Sequence, residues 1–141
     1  MEHTELPESM NELSRRIIGA AIEVHRELGT GLLESVYEAA LRHELEHAGI
    51  YYQYQSSFVG QYKGRQLPPQ RIDLLVDNQI IVELKAVQAV DDAHLAQLVS
   101  YLRLTHKPLG LLINFHAPTI KQGTHRRINS RVIPTPNTPP P

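Results

Sequence analysis

Asp73, Glu83 and Lys85 are the residues of this chain whose types and spacing could do hydrolytic chemistry. Glu83-Leu84-Lys85 continues the apolar run Ile80-Ile81-Val82, and in a strand residues two apart point to one face. Glu83 and Lys85 then share a face, with Ile80, Val82 and Leu84 on the apolar face opposite. Asp73 lies in Arg71-Ile72-Asp73-Leu74-Leu75-Val76, where Ile72, Leu74 and Val76 form a matching apolar face. Hard cations such as Mg²⁺ take oxygen ligands and keep several waters. One carboxylate from each strand plus a main-chain carbonyl, that of Leu84, could hold such an ion, polarise a phosphoryl group and lower the pKa of a bound water. Lys85 would orient that water or stabilise the transition state. The same spacing also fits an exposed Glu/Lys face beside an ordinary surface acid.

Further candidates lie on helical segments. Glu34 and Glu38 of Gly31-Leu32-Leu33-Glu34-Ser35-Val36-Tyr37-Glu38 are one turn apart and share a face with Tyr37. Glu34 could be a third carboxylate near the metal, although a first-turn acid is also explained by the helix macrodipole. Gln97 and Tyr101 are four apart, and an amide and a phenol on one helical face could bind phosphate or a base edge. On chemistry alone, ordinary packing and surface placement explain them more simply. The eight His residues show no HExxH spacing and read as solvated. No glycine-rich phosphate loop and no Ser/His/Asp signature is present.

Positioning these residues requires a hairpin of set parity. Directly opposed residues of an antiparallel pair share a face. A three-residue loop, Asp77-Asn78-Gln79, puts Val76 opposite Ile80 and Asp73 opposite Glu83, whereas a two-residue loop sends Glu83 to the other side. Around the hairpin, apolar periodicity predicts helices over residues 9 to 28 and about 32 to 48, broken at Gly29-Thr30-Gly31. A strand is predicted over Tyr51 to Tyr62, a third helix capped by Asp91-Asp92 over about 92 to 106, a buried strand in Pro108 to Phe115, and a last strand near Arg127 to Ile133. The order helix, helix, three strands, helix, strand predicts an α/β domain with one mixed sheet flanked by helices, the strands around the third helix being parallel.

The 141 residues suffice for one domain, expected over 1–133, and the proline-rich residues 134–141 are expected to be disordered. With 41% hydrophobic and 21% charged residues the chain reads as soluble and globular. No apolar run approaches the roughly 20 residues of a membrane span. The acidic start, Met1-Glu2-His3-Thr4-Glu5, is unlike a secretory signal. The absence of Cys excludes a disulfide framework and a thiolate nucleophile and fits a cytoplasmic protein. Charge is uneven: the first 50 residues are rich in Glu, and after Asp92 there is no acid. Lys121, Arg126, Arg127 and Arg131 could there meet a polyanion, or form a solvated basic tail.

Five motifs in order over roughly residues 10 to 130 carry a resemblance. They are Gly31-x-x-Glu34-x-x-Tyr37, Arg71 to Val76, Ile81 to Val87, Gln97-Leu98-Val99-Ser100-Tyr101 and Gly110 to Phe115. Together they resemble the GxxExxY protein family, within the PD-(D/E)xK nuclease superfamily near its RecB-like branch. The resemblance implies a restriction-endonuclease-like core and a phosphodiesterase dependent on Mg²⁺ or Mn²⁺ that cleaves DNA or RNA. Asp73 and Glu83 match the metal-binding acids, Lys85 the catalytic lysine, Glu34 the helical acid that often completes the site, and Gln97 and Tyr101 the QxxxY motif. Ile72-Asp73 stands where the superfamily has Pro-Asp. The rival expectation is a non-catalytic nucleic-acid-binding or assembly module with the same fold. One domain leaves little room for a separate DNA reader, so sequence specificity would call for a homodimer or partner.

Overall fold

A computed structural model describes residues 5–133; the expected tail, 134–141, lies outside them. The first apolar stripe forms α1 (Glu8–Leu28), burying Ile17, Ala21 and Val24. It stops at Gly29, whose φ of 69° is a left-handed value that glycine takes without strain. α2 (Glu34–His47) buries Tyr37, Leu41 and Leu45. The chain continues through β1 (Tyr52–Phe58), β2 (Gln61–Tyr62), β3 (Arg65–Gln66), β4 (Gln70–Val76) and β5 (Ile80–Lys85). Then come α3 (Asp92–Thr105), β6 (Leu109–Asn114), α4 (Ile120–Gly123), β7 (Thr124–Ile128) and a 3₁₀ turn at Ser130–Val132. Asp91 caps α3: its Oδ1 accepts from the His94 N–H at 3.0 Å, and His94 Nδ1 accepts from the Asp91 N–H at 3.2 Å.

Five strands form one mixed sheet in the order β1-β4-β5-β6-β7, with β2 and β3 a separate small hairpin. β5 and β6 are parallel and the other neighbours antiparallel. A parallel pair needs a crossover, which α3 supplies. α1 and α2 cover one face over Leu74, Val76, Ile80, Val82, Leu111 and Ile113. α3 covers the other through Leu98, Tyr101 and Leu102 against Leu75, Ile81 and Leu112. Residues of β6 are buried throughout, as expected of a parallel strand covered on both sides. This is the mixed sheet flanked by helices that the order of elements predicts.

Val76 pairs with Ile80 across Asp77-Asn78-Gln79, the odd loop that the site requires. Asp77 and Asn78 take φ of 51° and 57°, a region that Asp and Asn tolerate better than other side chains, so the turn needs no glycine. Other expectations need correction. The strand predicted to Tyr62 ends at Phe58, and Lys63-Gly64, both at positive φ, close a distinct hairpin between β2 and β3. The last strand is Thr124–Ile128 rather than 127 to 133, because Asn129 turns the chain by accepting from the Arg131 N–H. Ile72 does not share a face with Leu74 and Val76; it packs with Leu75, Leu98 and Tyr101 under α3.

Candidate active site

The displaced Ile72 marks an irregularity that builds the site. Pairing between β1 and β4 skips Gln55 and Asp73, and Gln55 takes a φ of 50°. Pairing between β4 and β5 stops at Leu74 and Val82, one residue short of Asp73. Asp73 therefore stands where both ladders are interrupted. Its Oδ2 accepts from the Leu84 N–H at 2.8 Å. In an antiparallel strand the N–H and C=O of a residue point the same way. The Leu84 carbonyl thus lies on the β4 side of β5 as well.

Glu83 is buried at 7% exposure, and its Oε1 finds no hydrogen-bond partner. Burial pushes its carboxyl up to about 9, the charge of Asp73 pushes the same way, and Lys85 opposes both. A buried carboxyl with an unsatisfied oxygen is costly unless a cation or proton compensates it. An oxygen donor set of two carboxylates and a strand carbonyl suits a hard divalent ion. Lys85 is half-buried at the end of β5, level with Asn114 of β6.

Tyr101 reaches the same place from α3. Its hydroxyl donates to Gln70 Oε1 at 3.2 Å and its ring meets Phe58 edge-on at 5.1 Å. Burial raises its pKa, and the charges of Glu83 and Asp73 raise it further. Gln97 is exposed one turn earlier.

Of the α2 acids Glu34 and Glu38, Glu38 is the buried one and feels the charge of Asp73. Its Oε1 accepts from Gln55 Nε2 at 2.9 Å, and its pKa is raised by burial and by the charge of Asp73. Glu34, one turn earlier, is exposed. The expected triad of Glu34, Asp73 and Glu83 is not assembled: among the described residues no three His, Cys, Asp or Glu side chains are gathered for a metal ion. The shared face of Glu34 and Glu38 was visible in sequence, but choosing between them needs the position of Gln55. Tyr37 of the same segment has a structural part. Its hydroxyl donates to the Gly29 carbonyl at 2.6 Å and accepts from the Leu32 N–H at 3.2 Å, and its ring stacks on Phe115.

The basic C-terminal residues are not beside the acids. Register places His125 level with Leu112 and hence with Glu83, and it carries Ile128 to the level of Leu109 and Ile80, the far end of the sheet. Arg126 turns toward α1 and donates to Asn11 Oδ1 at 2.8 Å. Arg127, next along the strand, takes the opposite face, and Arg131 borders a small cavity with Arg103 of α3. Lys121 is exposed on α4. Beyond the ends of β5 and β6 lies a groove lined by Gln88, Asn114, His116, Gln122 and His125.

No helix among the described residues is long and apolar enough to cross a membrane. A family model described as the PD-(D/E)XK nuclease superfamily matches residues 11–128, which span every element named above except the 3₁₀ turn and the first residues of α1. No curated protein and no solved structure matches the chain.

Proposed function

This chain belongs to the PD-(D/E)XK nuclease superfamily, and from that premise we propose that it hydrolyses phosphodiester bonds of DNA or RNA with Mg²⁺ or Mn²⁺. The observation that carries the reading is the buried Glu83 carboxyl with an orphaned oxygen beside Asp73, where the sheet pairing breaks. Asp73, Glu83 and the Leu84 carbonyl would hold the cation. When bound it supplies Lewis-acid polarisation of the phosphoryl oxygen and a water of lowered pKa. Water attacks phosphorus in line, and the bond to the 3′ oxygen breaks. Lys85 orients the water or donates to the phosphoryl oxygens as charge builds on them. Glu38 and, one turn away, Glu34 act on the acid pair from α2 through their charge, and Tyr101 with Gln97 lines the α3 side for the nucleic acid. The motif order supports placement in the GxxExxY family near the RecB-like branch. The Cys-free composition fits a cytoplasmic setting, and a homodimer would supply what one domain lacks for reading sequence.

The test combines melting with cleavage. A cation that binds the fold stabilises it by mass action, so millimolar Mn²⁺ or Mg²⁺ should raise the melting temperature. The rise should vanish in the Asp73→Ala/Glu83→Ala double variant, and cleavage with it. Lys85→Ala should lose turnover while keeping the metal-dependent rise. Glu38→Gln should weaken both more than Glu34→Gln. The second reading, a non-catalytic nucleic-acid-binding module, is favoured by the exposed position of Glu34 away from the acid pair. Intact oligonucleotide binding with neither a metal shift nor cleavage in the wild type would establish it instead.

A further inference from the structure

The β2–β3 hairpin projects from the borders of this site, and its residues 61 to 66 are exposed throughout. Tyr62 is 59% exposed, large for an aromatic ring. Tyr62 and Arg65 are directly opposed and so share a face of the hairpin. Lys63 Nζ lies 5.4 Å from the Tyr62 ring centroid, within cation–π range. No acid occurs between Glu46 and Asp73, so the arm and its approach carry only positive charge, from Lys63, Arg65 and Arg71.

The arm is rooted beside the acids. Phe58, the last residue of β1, and Gln70, the first of β4, pair with each other, and both touch Tyr101, whose pKa responds to Glu83 and Asp73. The Leu67 N–H donates to the Gly60 carbonyl at 2.9 Å, closing the base of the arm. A Cβ at Gly60 would lie 3.1 Å from Leu104 of α3, so the base sits tight on that helix. Pro68-Pro69 then stiffen the return to β4.

An exposed ring flanked by cations is the arrangement that holds unpaired bases: the ring stacks on a base face and the cations take the neighbouring phosphates. In a duplex the base faces are occupied by one another. We propose that the β2–β3 hairpin holds a single-stranded segment of nucleic acid, Tyr62 stacking on a base and Lys63 and Arg65 contacting its phosphates. The proposal rests on the nuclease reading for its location but makes a separate claim, that the strand at the site is unpaired.

Fluorescence anisotropy in EDTA, with a short labelled oligothymidylate and a duplex of equal length, tests it on the full chain. Tyr62→Ala should weaken single-strand binding about 5- to 100-fold. Tyr62→Phe should retain it, and duplex affinity should change little in either. Hydrolysis of bis(p-nitrophenyl) phosphate with Mn²⁺ needs no strand, and Tyr62→Ala should leave it unchanged. Single-strand binding by Tyr62→Ala equal to wild type, as expected if the arm docks a protein instead, would overturn the proposal. Equal losses on single strand and duplex would do so as well, as would a wild type that binds no oligonucleotide. A wild type that binds strands through Tyr62 but hydrolyses no phosphodiester would sink the nuclease reading and leave the arm standing.

Discussion

Glu83 concentrates the residue-scale physics. Its carboxyl ionises at 4.5 in an ordinary setting and is pushed up to about 9 in the fold, by burial first and by Asp73 second. Between those values the unfolded chain has released a proton that the folded chain keeps. Stability of the metal-free protein should therefore fall as pH rises through that window. In EDTA the wild-type melting temperature should drop steadily between pH 5 and pH 9. Glu83→Gln, which cannot ionise, should flatten that slope and melt higher at the alkaline end. A cation that takes the ionised pair displaces the proton, so the Mn²⁺-dependent rise should grow with pH. Parallel pH profiles of wild type and Glu83→Gln in EDTA would show the burial argument to be wrong.

Among the elements, α3 matters most, because it carries Tyr101 to the acids and crosses over between β5 and β6. Its approach to the sheet depends on Gly110. A Cβ there would lie 2.7 Å from Leu98 Cδ1 and 2.9 Å from its Cγ, and Leu98 is buried without slack. Overpacking of this kind costs about 1–3 kcal/mol. Gly110→Ala should destabilise the fold by that amount in denaturant melts and lower activity by moving Tyr101. Adding Leu98→Ala removes the clashing atoms, so the double variant should lose less than the sum of the single effects. Strict additivity would mean that the close approach is not the cause. The hairpin of β4 and β5 was legible in sequence because parity ties loop length to which faces meet. The β2–β3 arm and α4 were not, since segments of two to four residues carry too little periodicity to distinguish.

For the molecule as a whole, the sheet order sets β6 between the acids of β4–β5 and the basic residues of β7. The acids lie where β4 and β5 part, and β7 turns Arg126 and Arg127 onto opposite faces. We expect Lys121, Arg126, Arg127 and Arg131 to serve phosphates distant from the cut, without reading bases. Neutralising all four should weaken binding of long oligonucleotides to every sequence alike and flatten the salt dependence of affinity. Cleavage of an oligonucleotide too short to span the sheet should be unaffected. An unchanged salt slope on the long substrate would leave these residues merely solvated.

The sequence by itself determined the longer helices and strands and named the two acids. Apolar residues at spacings of two and of three or four sort the chain into strands and helices, and strand parity dictates which loop length would bring Asp73 and Glu83 together; the pairing of Val76 with Ile80 supplies that length. Local pattern suffices there because both acids belong to one hairpin. Tertiary structure decided the rest. Which acid of α2 faces the site depends on Gln55, a residue of β1 turned by a left-handed φ toward Glu38. Ile72 changes face because two ladders break at the same residue, which no single strand's alternation records. The separation of the β7 arginines from the acids follows from β6 lying between β5 and β7, and strand order is a property of pairing between segments far apart in the chain.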